Sequence, residues 1–221
     1  MAIRPQTTAR AWHGLTFVVA AAAVVLQLVL VVQGNSVLDD TQRPDLVTRL
    51  VRFISYLTIW SNVLVAWSTA TLALGSDRDT RVWRALRLDA VIVCFGGGVV
   101  HFFLLRPILD LHGADALADH LLHQVVPLLA VVGWLAFGPR GRMNGADLLP
   151  FLVVPGLWLV YTLVRGAFVD WYPYPFLDVG EHGYGTVLLN GVGVAVFMVA
   201  LFLVARWVDR RVDRRSVSAT P

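Results

Sequence analysis

WHGLTFVVAAAAVVLQLVLVVQ, residues 12–33, carries no charged side chain. Roughly 20 apolar helical residues cross a bilayer core, so this stretch reads as a transmembrane helix. It is longer than the apolar region of about 7–15 residues in a signal peptide, and no small-residue cleavage site follows it. A retained anchor is expected. Five further apolar runs follow at 50–74, 85–105, 116–137, 148–168 and 184–206. The chain is 57% hydrophobic and 15% charged, with a mean hydropathy of +0.67. A soluble domain has no interior that would hold so much apolar surface. Backbone polar groups in lipid must bond within their own segment, so the spans are helices. Continuous rather than alternating runs exclude a β-barrel. The expectation is an all-α polytopic membrane protein: an N-terminal tail at 1–11, a six-helix bundle at 12–206 and a basic tail at 207–221.

All 18 basic residues are arginine. Thirteen of them (positions 4, 10, 78, 81, 84, 87, 140, 142, 206, 210, 211, 214 and 215) fall on one side of the six spans, and five (43, 49, 52, 106 and 165) on the other. The positive-inside rule places both termini in the cytoplasm, and the plasma membrane is the expected location. Acidic residues, among them Asp39, Asp40, Asp45, Asp110, Asp115, Asp170 and Asp178, gather towards the outer side. The arginine run 206–215 directly follows a span and suits anionic lipid headgroups rather than nucleic acid. Cys94 is the only cysteine, which leaves no internal disulfide. The extreme ends, before Ala11 and after about Arg211, are polar and expected to be disordered. No internal repeat of the kind that builds inverted-repeat transporters is visible.

Topology turns sequence position into depth at about 1.5 Å per helical residue. Thr58, Ser61 and Asn62 then lie in the outer half of the second span, and His101 near the outer end of the third. Asp119, His120 and His123 lie one to two turns into the fourth, Tyr161 and Arg165 at the outer end of the fifth, and Asn190 in the sixth. Ionisable side chains within a membrane are costly and usually functional. Residues three or four apart share a helix face, so the segment DHLLH at 119–123 presents a carboxylate and two imidazoles within one turn.

Two chemistries fit these residue types. In the first, Thr58 is a nucleophile and His123 its base, with Asp119 orienting the imidazole. His120, Asn62 or Asn190 would support an oxyanion, and the substrate would be a lipid ester. In the second, His101, Asp119, His120 and His123 hold Zn²⁺, which activates water. A third reading is non-catalytic: the same polar cavity binds or transports a lipid. Each polar residue also has a structural reading, since Thr and Ser bond back to the preceding turn and Asn joins helices.

Three blocks, FISYLT at 53–58, DHLLH at 119–123 and WYPYPFL at 171–177, resemble in this order those of the androgen-induced membrane protein family. Animal members of that family are integral-membrane threonine hydrolases of fatty acid esters of hydroxy fatty acids. The chain looks closest to a bacterial six-span branch. The resemblance runs from the second span to the start of the sixth. It implies Thr58 as nucleophile, His123 as its partner, no cofactor, and membrane lipids or a fatty acid ester as ligands. Asp119 stands where animal members tend to have Asn, and Gln124 where they tend to have Thr. The two prolines keep the 171–177 block out of a helix, which suits an interfacial loop. Its Trp171 and Tyr174, with Tyr161, His101 and Arg165, are the expected substrate contacts.

Overall fold

The computed structural model describes residues 5–35 and 43–218, with the side chains of 6–35 and 43–211. Asp39, Asp40, Arg4, Arg214 and Arg215 lie outside those described side chains. The order is α1 (Pro5–Gln33), α2 (Leu46–Ser55), α3 (Leu57–Ala73), α4 (Arg81–Ile108), α5 (Gly113–Phe137), α6 (Gly145–Val169) and α7 (Val179–Ser218). No strand occurs among the described residues. Among the described residues five helices are long and apolar enough to cross a membrane, and the bent pair α2–α3 makes up to six. The outward surface is apolar: Leu188, Leu189, Val192 and Val196 of α7 are each more than half exposed. This is an all-α, multi-pass membrane architecture.

Helix limits differ from the apolar runs where local chemistry extends them. α1 is helical from Pro5, the first described residue and ahead of the expected start at residue 12. α7 runs to Ser218, past the expected end at 206 and the expected disorder after Arg211. Its extension is pinned by the buried carboxylate of Asp209, which accepts from the Gly141 and Met143 N–H groups at 2.8 and 3.0 Å.

The second span is not the single helix expected at 50–74. α2 and α3 meet at 68°, with Tyr56 extended between them (φ −77°, ψ 126°). Asp45 caps α2, accepting from Val47 and Thr48 N–H at 2.9 and 3.1 Å. Arg49 on α2 then caps α1, donating to Val31 and Val32 carbonyls at 2.6 and 3.1 Å. A helix break frees carbonyls on one side and N–H groups on the other. Two indoles meet the carbonyls: Trp60 donates to Ile54 O at 2.6 Å and Trp158 to Ser55 O at 2.8 Å.

α1 packs along α3 around Ala20, Ala23 and Val65, which meet Leu122, Val126 and Ala130 of α5. A second cluster centres on Phe151, Met198 and Phe202. The arginine-rich loops gather at one end. Arg84 pairs there with Asp79 and Asp147 at 3.0 and 3.2 Å, and Asp77 with Arg87 and Arg142. At the other end Asn35 donates to Asp115 at 2.7 Å, and the 171–177 loop folds over the α2–α3 break.

Candidate active site

Thr58 is the second residue of α3, so its N–H lies beyond the reach of any helical carbonyl. The break at Tyr56 therefore gives Thr58 a hydroxyl and a free donor side by side, at the positive end of a helix dipole. His123 lies in a π-helical turn of α5, Leu121–Val125, and His101 in another, His101–Leu105 of α4. Such turns recur at functional sites. Pro127 contributes to the first, since it has no N–H for the His123 carbonyl four residues earlier. Gly98 of α4 sits against that carbonyl, where a methyl group would collide.

The hydrogen bonds run in one direction. His123 Nδ1 donates to Asp119 O at 3.1 Å, and Asp119 Oδ1 lies 3.0 Å from the same nitrogen as an ion-pair contact. Both are acceptors, so Nδ1 carries the proton and Nε2 presents a lone pair. Thr58 Oγ1 is 3.2 Å from Nε2 and donates to it. Tyr174 OH is 3.2 Å from Thr58 Oγ1 and 3.4 Å from Thr58 N. It accepts the N–H and donates to the hydroxyl. Tyr174, Thr58, His123 and Asp119 thus form a relay in which each donates to the next. The arrangement is that of a nucleophile, a base and an orienting group.

Asp119 is buried and shared. Arg106 donates to its Oδ2 at 2.9 Å. His101 Nε2 approaches Oδ1 to 2.8 Å without hydrogen-bond alignment. Arg106, at the end of α4 beside Pro107, was not singled out in the sequence because arginine at a span end ordinarily reads as an interface anchor. His101, Asp119 and His123 bring ligand-type atoms within 4.8 Å of one another. The two rings, however, stack with centroids 3.7 Å apart and planes 8° from parallel. A metal ion binds imidazole along an in-plane nitrogen lone pair, and one ion cannot lie in two parallel planes. The set does not fit Zn²⁺ as arranged.

Two cavities meet at Thr58, His123 and Tyr174. One, of ≈ 130 Å³, opens past Arg43, Arg49, Arg52 and Trp171 and includes Asp115 and Asp119. The other, of ≈ 260 Å³, is walled by apolar side chains of α4, α6 and α7, including Val93, Leu152, Leu159 and Met198, with Gly97 and Gly156 making room. Thr58 is half-buried, and so reachable from both.

Several expected site residues have other roles. His120 turns away: its Nδ1 bonds Ala116 O at 2.6 Å and its Nε2 lies 3.4 Å from Arg106. It neither faces Thr58 nor joins the His101–Asp119–His123 group. Asn190 holds the loop by donating to Phe176 O at 2.8 Å, so it supplies no oxyanion donor. Asn62 is buried one turn below Thr58, and its amide donates to Thr58 O and Leu122 O at 2.8 and 3.3 Å, joining α3 to α5. Tyr161 bonds Ser55 at 2.9 Å at the break, away from the cavities. Trp171 lies between Arg52 and Arg165, whose guanidinium carbons are 4.9 and 5.2 Å from its ring. Arg165 thus braces the loop. Comparison with protein-family models, curated proteins and solved structures finds no match to this chain.

Proposed function

We propose that this protein hydrolyses lipid esters within the membrane, with Thr58 as nucleophile and His123 as general base. The observation that carries the reading is the Tyr174–Thr58–His123–Asp119 relay where an apolar cavity meets an arginine-rimmed one. An ester with an acyl chain in the apolar cavity would set its carbonyl beside Thr58. Oγ1 adds to that carbon as its proton passes to His123 Nε2. Collapse expels the alcohol, which takes the proton back from Nε2, and leaves an acyl-threonine. Water, deprotonated by the same nitrogen, adds to the acyl carbon; the bond to Oγ1 breaks as Nε2 returns the proton to Oγ1, which releases the fatty acid and restores Thr58. Asp119 holds the imidazolium formed in each half. The ordered resemblance to membrane threonine hydrolases supports a fatty acid ester as substrate. The arginine distribution supports a plasma-membrane protein with cytoplasmic termini and the site at the outer end.

The test is turnover of p-nitrophenyl acyl esters and of a branched fatty acid ester by the purified protein. Thr58→Ala and His123→Ala should each lower kcat by about 10³-fold or more while melting like wild type. A chelator should leave the rate unchanged. Turnover that survives Thr58→Ala but is lost to a chelator would replace this mechanism with metal-activated water, and lipid binding without turnover would make the protein a carrier.

A further inference from the structure

The geometry points to Tyr174 as a catalytic residue: its phenol borders the oxyanion position and donates to the oxyanion during acyl transfer. The inference rests on Thr58 being the nucleophile. The first turn of α3 offers one N–H group at the cavities that no helical carbonyl meets, that of Thr58, and Tyr174 OH lies 3.4 Å from it. The same oxygen lies 3.2 Å from Oγ1. A carbonyl oxygen whose carbon is being bonded by Oγ1 has to lie close to that atom. Placed towards the N-terminus of α3, it meets the same N–H. The phenol oxygen therefore lies beside the place of the substrate's oxygen, within reach of a hydrogen bond to it. Among the described side chains, no other neutral hydroxyl or amide is bonded to Thr58 N or Oγ1, since His120, Asn62 and Asn190 are engaged elsewhere.

Tyr174 is held for this role. Its ring packs on Phe176 with centroids 5.4 Å apart, on Tyr56 at 5.7 Å and on Trp158 at 5.7 Å. The loop behind it is fixed at Gly166, against which the Tyr172 ring sits too closely to admit a side chain, and by Asn190 on Phe176 O. Burial raises the phenol above its ordinary range, against the lowering effect of its bonds to Thr58, so it keeps its proton near neutral pH. When substrate binds, the carbonyl oxygen takes the Thr58 N–H from the phenol. As Oγ1 becomes an ester oxygen, the phenol O–H turns from it to the new oxyanion. No proton leaves Tyr174. The bond it gave to Oγ1 in the ground state goes to the charge that forms in the transition state, which is the condition for accelerating the step.

The experiment compares wild type, Thr58→Ala and Tyr174→Phe on a p-nitrophenyl acyl ester, with melting temperature as the folding control. Loss of one oxyanion donor costs about 10²–10³-fold in kcat. Tyr174→Phe is expected to fall in that range with KM within about twofold, since the loss is confined to the transition state. An unchanged or raised kcat in a wild-type-like fold overturns the assignment and leaves Tyr174 as a plug. Should Tyr174→Phe unfold, fluorotyrosines of graded acidity placed at 174 decide. A rate that tracks phenol acidity supports the donor, and a flat series overturns it. Activity lost in Thr58→Ala but retained in Tyr174→Phe sinks this inference alone. A wild type without turnover sinks it together with the hydrolase reading.

Discussion

Asp119 serves His123 twice, through its carboxylate at 3.0 Å and its own backbone carbonyl at 3.1 Å. The second acceptor belongs to the helix and survives any substitution of the side chain. In a Ser-His-Asp triad the carboxylate alone sets the tautomer, and its amide replacement costs about 10⁴-fold in kcat. Here the carbonyl keeps the proton on Nδ1, so Asp119→Asn should cost only about tenfold, from weaker stabilisation of the imidazolium. The measurement is kcat against pH for the variant and wild type on one ester. A thousandfold loss would mean that the carboxylate, not the helix, fixes the imidazole. Arg106 donates to the other carboxylate oxygen, so the variant also loses an ion pair. This duplication has a sequence trace: Asp119 and His123 are four apart, the separation at which a side-chain N–H reaches the carbonyl of the preceding turn.

At the scale of elements, the site depends on how closely α4 approaches α5. Gly98 abuts the His123 carbonyl that Pro127 leaves without a helical donor. A methyl group at 98 has to push α5 away and carry His123 from Thr58. Gly98→Ala should lose roughly 1–3 kcal/mol of stability and most of its kcat. At Gly97 the added carbon meets nothing within 4 Å, so Gly97→Ala should fold normally. Gly97→Leu should fill the apolar cavity and shift turnover towards shorter acyl chains, read from a chain-length series; an unchanged series would place the acyl chain elsewhere. A run of three glycines such as Gly96–Gly98 suits close packing, but its sequence does not tell which one touches His123 and which leaves space. The helices were legible because each is a long apolar run. The break at Tyr56 was not, because Leu50–Leu74 is apolar enough to read as one span while its cause is tertiary: indoles from Trp60 and Trp158 cap the carbonyls it frees. Thr58, His123 and Asp119 were visible as residues. The geometry that brings them together depends on that break, which puts Thr58 at a helix start rather than mid-span. Tyr174 was visible as an expected substrate contact in an aromatic loop, not as a partner of Thr58, and Arg106 had no signal beyond its place at a span end.

Across the whole molecule, the ends of the bundle are held differently. The site end is closed by aromatic packing and helix caps, while the arginine-rich end is tied by carboxylates. Asp77, between α3 and α4, pairs with Arg87 of α4 and with Arg142 between α5 and α6, the latter at 2.9 Å, and Arg84 reaches Asp147 at 3.2 Å. Burial alone would raise the Asp77 carboxyl, but hydrogen bonds and charge from Arg87 and Arg142 outweigh it and hold the group below its ordinary value of 3.8. A carboxyl depressed in the folded state binds its proton more readily when unfolded. Its contribution is therefore complete above the unfolded value, near pH 4, and fades as pH falls through the lower folded one. The melting temperature in detergent should hold between about pH 7 and 5 and drop below about pH 4. Asp77→Asn should melt lower than wild type at pH 7, and the gap between the two should close with acidification. A gap that is constant with pH would show that Asp77 acts through packing rather than charge. Because Asp77 lies in a loop at the end remote from Thr58, kcat per folded molecule should be the same in both proteins at pH 7, which separates the ties holding the bundle from the relay proposed to do its chemistry.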